Sequence, residues 1–190
     1  MNRYVTQTQS RVPLGVTPPP SRQNVTVQAY RGVTDTVKYM RKFALEGQAH
    51  PAVRAYAVEV IRQVEPKDYL SEAAAIYYDV CRTVRYTRDP ANREFVHHPA
   101  VVLARRAGDC DDSAILIRAA MAASAASTGS PVEFVVAGFD KKAKMGQRYT
   151  HVFVRVWDDR TGQWVVLDPV AGPHTGVMLS KVQHFKSYET

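Results

Sequence analysis

Apolar residues recur every three or four positions along the first half of the chain, which is the spacing of one face of an α-helix. Three stretches follow this period, at residues 34–47, 51–66 and 68–85, and Pro51 suits the first turn of the second. The stripes predict packing against a core rather than a cofactor site. They consist of Val33, Val37, Met40 and Ala44, then Val53, Ala57, Val60, Ile61 and Val64, then Ala73, Ile76, Tyr77, Val80 and Val84.

The second half of the chain changes its period. Residues 86–107 are typical of an ordered loop with a short helical turn, and a fourth long helix is predicted at 109–127, where STGSP supplies a stop. Apolar and polar residues then alternate, which predicts strands at 132–138, 149–157 and 163–169. A tight turn in DDRTG joins the last two strands, and the basic loop DKKAKMGQR precedes them. Helices followed by an antiparallel sheet predict an α+β domain.

The domain organisation follows from length and from the prolines near the start. With 190 residues the chain is the size of one domain. Residues 1–24, which include VPLGVTPPPSRQ, hold too few apolar positions for a core and predict an extended arm, mobile or laid along a partner. Residues 25–190 are predicted to form a single domain, with a helical part at 33–127 and a sheet part at 131–190.

Composition and charge limit the function classes. The net charge of +7 suits either a nucleic-acid or acidic-protein partner or simply a solvated basic surface, and the second is preferred because no nucleic-acid motif is present. Two cysteines are too few for a disulfide framework and favour a reducing compartment. No apolar run reaches the roughly 18 residues of a membrane span, and the N-terminus lacks the apolar core of a signal peptide. A soluble, cytoplasmic protein is expected.

One short stretch, GDCDD at 108–112, carries candidate chemistry. Asp109 is a suitable N-cap and Asp112 stands at the capping-box position three residues on, so these carboxylates are expected to bind free amides of the helix start. Cys110 then lies in the first turn, where the helix dipole favours a thiolate and free N–H groups favour an oxyanion. Gly108 is expected to let a substrate backbone approach closely.

A partner for Cys110 is available in the predicted sheet. His151 begins the strand THVFVRV, and Asp168 ends the following strand VVLDP. A two-residue turn centred between Asp159 and Arg160 would set Asp168 directly across from His151, where a carboxylate orients an imidazole, unless a bulge at Gly162 shifts the register. Each residue alone is weak evidence, because a lone cysteine or histidine is more often packed than catalytic. Their combination, in the order Cys, His and Asp, is far more specific.

These segments, GDCDDSAILIRAAM, THVFVRV and LDP, resemble the transglutaminase-like superfamily, which has a papain-like cysteine fold. The resemblance extends over about residues 68–170, and the segment before the cysteine is similar to microbial and bacteriophage members. It implies that Cys110 is the nucleophile, His151 the base and acid, and Asp168 the orienting group. Asp111 departs from the animal crosslinking enzymes, which have an aromatic residue after the cysteine.

The functional hypotheses rest on this resemblance. The first is an enzyme, an acyltransferase or peptidase that acts on protein or peptide amides through a thioester. The second is a virion component, with the arm holding phage structural proteins and the site idle or used in maturation, and with a location in the host cytoplasm or the virion. No cofactor and no membrane partner are expected. A metal site at the clustered carboxylates is the lesser alternative, since capping explains two of them.

The substrate-binding residues are predicted mainly by position. Gly108 and Asp109 immediately precede the nucleophile. Tyr86, His97 and His98 lie upstream of it and are candidates for a side-chain donor to the oxyanion. Tyr86 and His98 complete the predicted substrate-binding set.

Overall fold

The computed structural model describes residues 24–27, 33–90, 93–124, 126, 130–140, 149–176 and 181–190. The predicted arm, apart from its last residue, and residues 141–148 of the basic loop lie outside this part, so the arm and the domain boundary stay predictions. In chain order the elements are β1 Asn24–Val27, α1 Val33–Gln48, α2 Pro51–Ile61, α3 Tyr69–Thr83, β2 Arg85–Tyr86, β3 Glu94–His97, α4 Pro99–Arg105, β4 Ala107–Gly108, α5 Cys110–Ala123, β5 Val132–Gly138, β6 His151–Asp158, β7 Gln163–Leu167 and β8 His184–Glu189.

The helices pack around α5, which is buried along most of its length. Its apolar residues Ile115, Leu116, Ile117 and Met121 are inaccessible to solvent. It contacts α1, α2, α3 and α4 as well as β6. A helix with apolar residues on every side is favoured only where neighbours cover it completely. The start of this helix is therefore held in place by the core of the whole domain.

The main sheet has four antiparallel strands in the order β7-β6-β5-β8. One face contributes Phe134, Val136, Val152 and Val154 to the core that also contains α5. The predicted α+β class is confirmed. Among the described helices, none is long and apolar enough to cross a membrane.

The register of the β6–β7 hairpin differs from the prediction. Val154 lies opposite Leu167 and Asp158 opposite Gln163, and the connection is a turn at 159–162 rather than a two-residue turn. Gly162, with φ 66°, occupies the left-handed conformation that closes this longer turn. The register is displaced by two residues, so each side chain keeps its predicted face. Asp168 follows the end of β7 and lies diagonally from His151 rather than across from it.

Candidate active site

A cavity of about 740 Å³ opens at the N-terminus of α5. Cys110 reaches it from the first turn of α5 and His151 from the start of β6. Tyr86, at the end of β2, forms another part of the lining. The sequence places these residues far apart, and the contact between α5 and β6 brings them together.

The His151 ring is paired with a buried carboxylate. Nε2 of His151 lies 2.8 Å from Oδ2 of Asp168, and both side chains are almost inaccessible to solvent. The other oxygen of Asp168, Oδ1, accepts hydrogen bonds from the backbone amides of Val170 at 3.0 Å and Ala171 at 3.4 Å. Because a carboxylate accepts, Nε2 carries the proton, and Nδ1 is the ring nitrogen left for exchange with a thiol.

The Cys110 thiol has a higher pKa than its position in the first turn of a helix suggests. Burial, followed by the neighbouring Asp109 charge, raises the pKa of Cys110 to about 12. Hydrogen bonds from the backbone amides of Val152 and Asp111 lower this pKa but do not compensate. The expectation that Cys110 is a thiolate at the helix start is therefore wrong for the unliganded protein. A helix dipole contributes about 0.3–1 kcal/mol, whereas an increase from 9.0 to about 12 corresponds to about 4 kcal/mol.

The aspartates after Gly108 do not form the predicted capping box. Within the described residues, the Asp109 side chain makes no capping hydrogen bond, although Asp109 holds the N-cap position. Asp112 instead accepts hydrogen bonds from the backbone amide and ring Nδ1 of His97, each at 2.8 Å. A Cβ added to Gly108 would lie 2.6 Å from the Cβ of Asp112. Gly108 is thus required by the fold, and it is not among the described residues that line the cavity.

Asp109 and Asp111 form a carboxyl pair beside the thiol. Both oxygens of Asp111 and Oδ1 of Asp109 meet no N–H or hydroxyl donor among the described residues. The two groups instead hydrogen-bond each other, which requires a shared proton. Burial raises the pKa of both carboxyls, and that of Asp111 lies well above its usual range, so Asp111 is the neutral donor.

The same pair is the place where this site could hold a metal ion. Ligand atoms of Asp109, Cys110 and Asp111 all lie within 4.8 Å of one another. The proton shared by the two carboxyls already compensates for their closeness, which is how two neighbouring acids coexist without a cation. The donor set therefore fits a cation only after that proton and the thiol proton leave.

The sequence of this chain matches a known protein family over the segment that holds the site. The family model of the transglutaminase-like superfamily matches residues 54–169, which is more than half of the chain and includes Cys110, His151 and Asp168. This chain belongs to the transglutaminase-like superfamily. The predicted resemblance is confirmed at the level of the superfamily. Comparison with curated protein sequences gives no significant match.

Solved structures resemble this superfamily member in fold. A candidate protease from Parabacteroides distasonis ATCC 8503 aligns with a TM-score of 0.50 and 16% identity over 70% of this chain and 26% of its own. A candidate cysteine protease from Cytophaga hutchinsonii gives 0.45 and 15% over 88% and 58%. Rad4–Rad23 bound to a 6-4 photoproduct lesion gives 0.43 and 11% over 85% and 46%. The chain thus spans less than two thirds of each of these proteins.

His98 has a structural position in this transglutaminase-like domain. It is the N-cap of α4, where its Nδ1 accepts a hydrogen bond from the amide of Ala100 at 3.2 Å, and its ring packs edge-on against Phe43 and His50. Burial lowers the pKa of His98 to about 4, so the ring is neutral. The described lining of the cavity does not include His98. His98 is therefore a helix cap in this structure, and its role in substrate binding stays a prediction.

The other two candidates for the oxyanion donor, His97 and Tyr86, occupy different positions relative to the cavity. His97 is held between Asp112 and Arg105, whose guanidinium lies 3.0 Å from Nε2, and it is also absent from the described lining. Tyr86 lines the cavity, and its side chain is 48% exposed. Burial and the nearby Cys110 and Asp109 charges raise the pKa of Tyr86, so its hydroxyl keeps the proton that an oxyanion would accept.

Glu94 is a site residue that the sequence did not indicate. It lies in β3 and lines the cavity with Arg88 and Arg93. Burial, followed by the Asp109 charge, raises the pKa of Glu94 to about 7, and Glu94 in turn raises that of Cys110. No local pattern marks this residue, because its effect depends on the position of α5 behind it.

Proposed function

We propose that this transglutaminase-like protein is a cysteine enzyme that attacks amide bonds of a protein or peptide substrate. In this proposal Cys110 is the nucleophile, His151 the general base and acid, and Asp168 the group that orients the imidazole. The observation that carries the proposal is the 2.8 Å pair of His151 and Asp168, set beside a cavity that also contains Cys110. A buried imidazole–carboxylate pair next to a thiol is the arrangement that nucleophilic acyl transfer needs.

The proposed reaction begins from a neutral thiol. The Cys110 sulfur attacks the substrate carbonyl carbon while its proton passes to Nδ1 of His151. Backbone amides in the first turn of α5 and the Tyr86 hydroxyl stabilise the oxyanion. The C–N bond then breaks, the imidazolium protonates the leaving amine, and a thioester remains on Cys110. Water or a second amine attacks that thioester, with His151 accepting its proton, and the thiol is restored.

The carboxylate of Asp168 supports both proton transfers. It accepts from Nε2 and therefore stabilises the positive imidazolium that forms when Nδ1 takes the thiol proton. Burial of the pair strengthens this interaction, because water does not screen it. Removing only the charge, by Asp168→Asn, should lower kcat/KM by up to about 10⁴-fold, the loss that the same change causes in the Ser-His-Asp triad.

The test is to trap the thioester. The protein is incubated with an unfolded protein substrate and hydroxylamine, and protein hydroxamates are measured by mass spectrometry. Cys110→Ala and His151→Ala should abolish hydroxamate formation. Asp159→Asn, the same change at the exposed hairpin turn, serves as the matched control and should leave it intact. Hydroxamate formation that persists in Cys110→Ala would disprove the proposed nucleophile.

A second measurement shows whether water or an amine accepts the acyl group from the thioester. Without hydroxylamine, a dansyl-labelled primary amine is supplied in ¹⁸O-labelled water. Dansyl amine bound covalently to the substrate protein indicates acyl transfer to the amine. A new carboxylate that contains ¹⁸O indicates hydrolysis. The role in virion assembly stays a prediction, because the arm on which it depends lies outside the described residues.

A further inference from the structure

Asp168 depends on a turn, not on a strand, for its position. It comes directly after the last residue of β7, and among the described residues its Oδ1 accepts hydrogen bonds from amides of its own turn alone, those of Val170 and Ala171. The carboxylate therefore moves with the turn at 168–174. Whatever fixes this turn against the core also fixes the angle at which Asp168 meets His151.

The Tyr77 hydroxyl contacts both ends of this turn. Tyr77 lies in α3 and its side chain is fully buried. Its hydroxyl donates to the carbonyl oxygen of Gly172 and accepts from the amide of His174 at 3.2 Å. The carbonyl oxygen of Asp168 lies 3.2 Å from the same hydroxyl. One phenol thus connects α3 to the backbone of the residue whose carboxylate pairs with His151.

This hydroxyl is suited to a fixed structural contact. Burial raises the pKa of Tyr77, so the O–H remains a donor over any practical pH range. The hydroxyl has one proton and two acceptor positions, and the turn supplies both an acceptor and a donor. The Tyr77 ring is rigid and has only two rotatable bonds, so holding it against the turn costs little conformational entropy. The cluster therefore forms a complete hydrogen-bonded unit between α3 and the turn.

We propose that Tyr77 is a positioning residue for the Asp168–His151 pair, acting through the backbone of the turn at 168–174. The inference rests on the proposed catalytic function of that pair. The opposing view is that Tyr77 only stabilises the fold, like any buried tyrosine with a satisfied hydroxyl. The two views differ in whether removal of the hydroxyl affects catalysis through Asp168.

The first measurement is the effect of Tyr77→Phe on hydroxamate formation. This change keeps the ring and removes one oxygen, so the turn loses its connection to α3 without a large cavity. We expect kcat/KM to fall about 10- to 100-fold through misalignment of the pair, with KM little changed. An unchanged kcat/KM would overturn the inference.

A double-mutant cycle separates positioning from general stability. If Tyr77 acts through the Asp168 carboxylate, Tyr77→Phe should have little further effect in an Asp168→Asn background. An equal loss in both backgrounds would overturn the inference. Tyr56→Phe is the matched control, because Tyr56 is also buried, at 5% exposure, and its hydroxyl faces Asp79 instead of the turn. It should leave kcat/KM unchanged, and an equal loss of kcat/KM in this control would also overturn the inference.

A measurement independent of activity keeps this inference separate from the proposed function. The NMR signal of the His151 Nε2 proton reports its hydrogen bond to Asp168. Tyr77→Phe should shift it, and Tyr56→Phe should not. If Cys110→Ala remained active, the proposed function would fail while the NMR result still decided the role of Tyr77. A His151 signal that is identical in Tyr77→Phe and the parent would overturn the positioning role.

Discussion

The Asp109 carboxylate should suppress the reactivity of the Cys110 thiol, and Asp109→Asn tests this directly. The substitution keeps the shape of the side chain and removes its charge. The facing atoms of the two residues lie within 4.8 Å. At an effective dielectric constant of about 20, a carboxylate and a thiolate at that separation repel by about 3.5 kcal/mol, or about 2.5 pH units. Since Asp109 shares a proton with Asp111, we expect the thiol pKa to fall by about 1–2.5 units.

The assay is alkylation by iodoacetamide at pH 8–9, followed on separate tryptic peptides. Cys110 lies in the peptide 107–118 and Cys81 in the peptide 68–82, so each thiol is measured in the same sample. A lower pKa increases the thiolate fraction tenfold per unit but weakens each thiolate, with a Brønsted coefficient of about 0.4–0.5. The net gain at Cys110 should be about 3- to 30-fold.

Two controls decide how this result is interpreted. Asp159→Asn makes the same chemical change at the hairpin turn and should leave the Cys110 rate unchanged. The Cys81 peptide reports any general loosening of the fold, because Cys81 lies in α3 away from the Asp109 charge. If the Cys110 rate in Asp109→Asn stayed within twofold of the parent, the charge of Asp109 would not explain the raised pKa. A parallel increase at Cys81 would likewise contradict the electrostatic reasoning.

Three further changes test the surroundings of the site. Asp111→Asn should raise the melting temperature at pH 7 but not near pH 3. Burial raises the folded-state pKa of Asp111 above its unfolded value, so ionisation of this carboxyl destabilises the fold as pH rises from the unfolded pKa to the folded one. Gly47→Ala should lower the free energy of unfolding in urea by about 1–3 kcal/mol, since the new Cβ would overlap the Pro99 ring. Asp112→Ala should lower the free energy of unfolding by about 1–3 kcal/mol, because it leaves the His97 amide without its hydrogen-bond acceptor. In an NMR titration it should also lower the pKa of His97, which Asp112 now raises.

The helices could be predicted from the sequence because their apolar period is local. The helix predicted at 68–85 is found as α3, Tyr69–Thr83, and that at 34–47 as α1, Val33–Gln48. The ends were less accurate, since α2 stops at Ile61 and α5 at Ala123. The short helical turn expected in the loop is α4, where Pro99 and the cap His98 start the helix. Helix interiors follow from spacing, whereas helix ends depend on neighbours.

The strands β8 and β3 had no such local signal. In β8, HFKSYE, exposed and partly buried residues are mixed, and the strand exists because it pairs with β5. Similarly, β3 pairs with β1, which lies some 70 residues earlier in the chain. A strand whose partner supplies its hydrogen bonds needs little hydrophobic alternation of its own. The sequence therefore indicated three strands of the main sheet and missed the fourth.

The Cys, His and Asp of the candidate site could be named from the sequence, but Glu94 and the electrostatics of the site could not. Asp112 was expected to cap its own helix, yet its partner is His97, fifteen residues upstream. The thiol of Cys110 was expected to ionise easily, yet its pKa depends on burial by the surrounding elements. Both differences have one cause. Caps and dipoles belong to the helix alone, whereas desolvation and partner choice come from packing.

The raised pKa of Cys110 changes what the proposed triad must do. At a pKa of about 12, release of the thiol proton to water at pH 7 would cost about 7 kcal/mol. A thiolate formed before the substrate arrives would therefore be rare, and the proton must be accepted as the C–S bond forms. That places a stricter geometric demand on His151 than a preformed ion pair would, because the base has to be aligned at the moment of attack. The buried carboxylate of Asp168, fixed through its turn, is what gives the imidazole a single orientation.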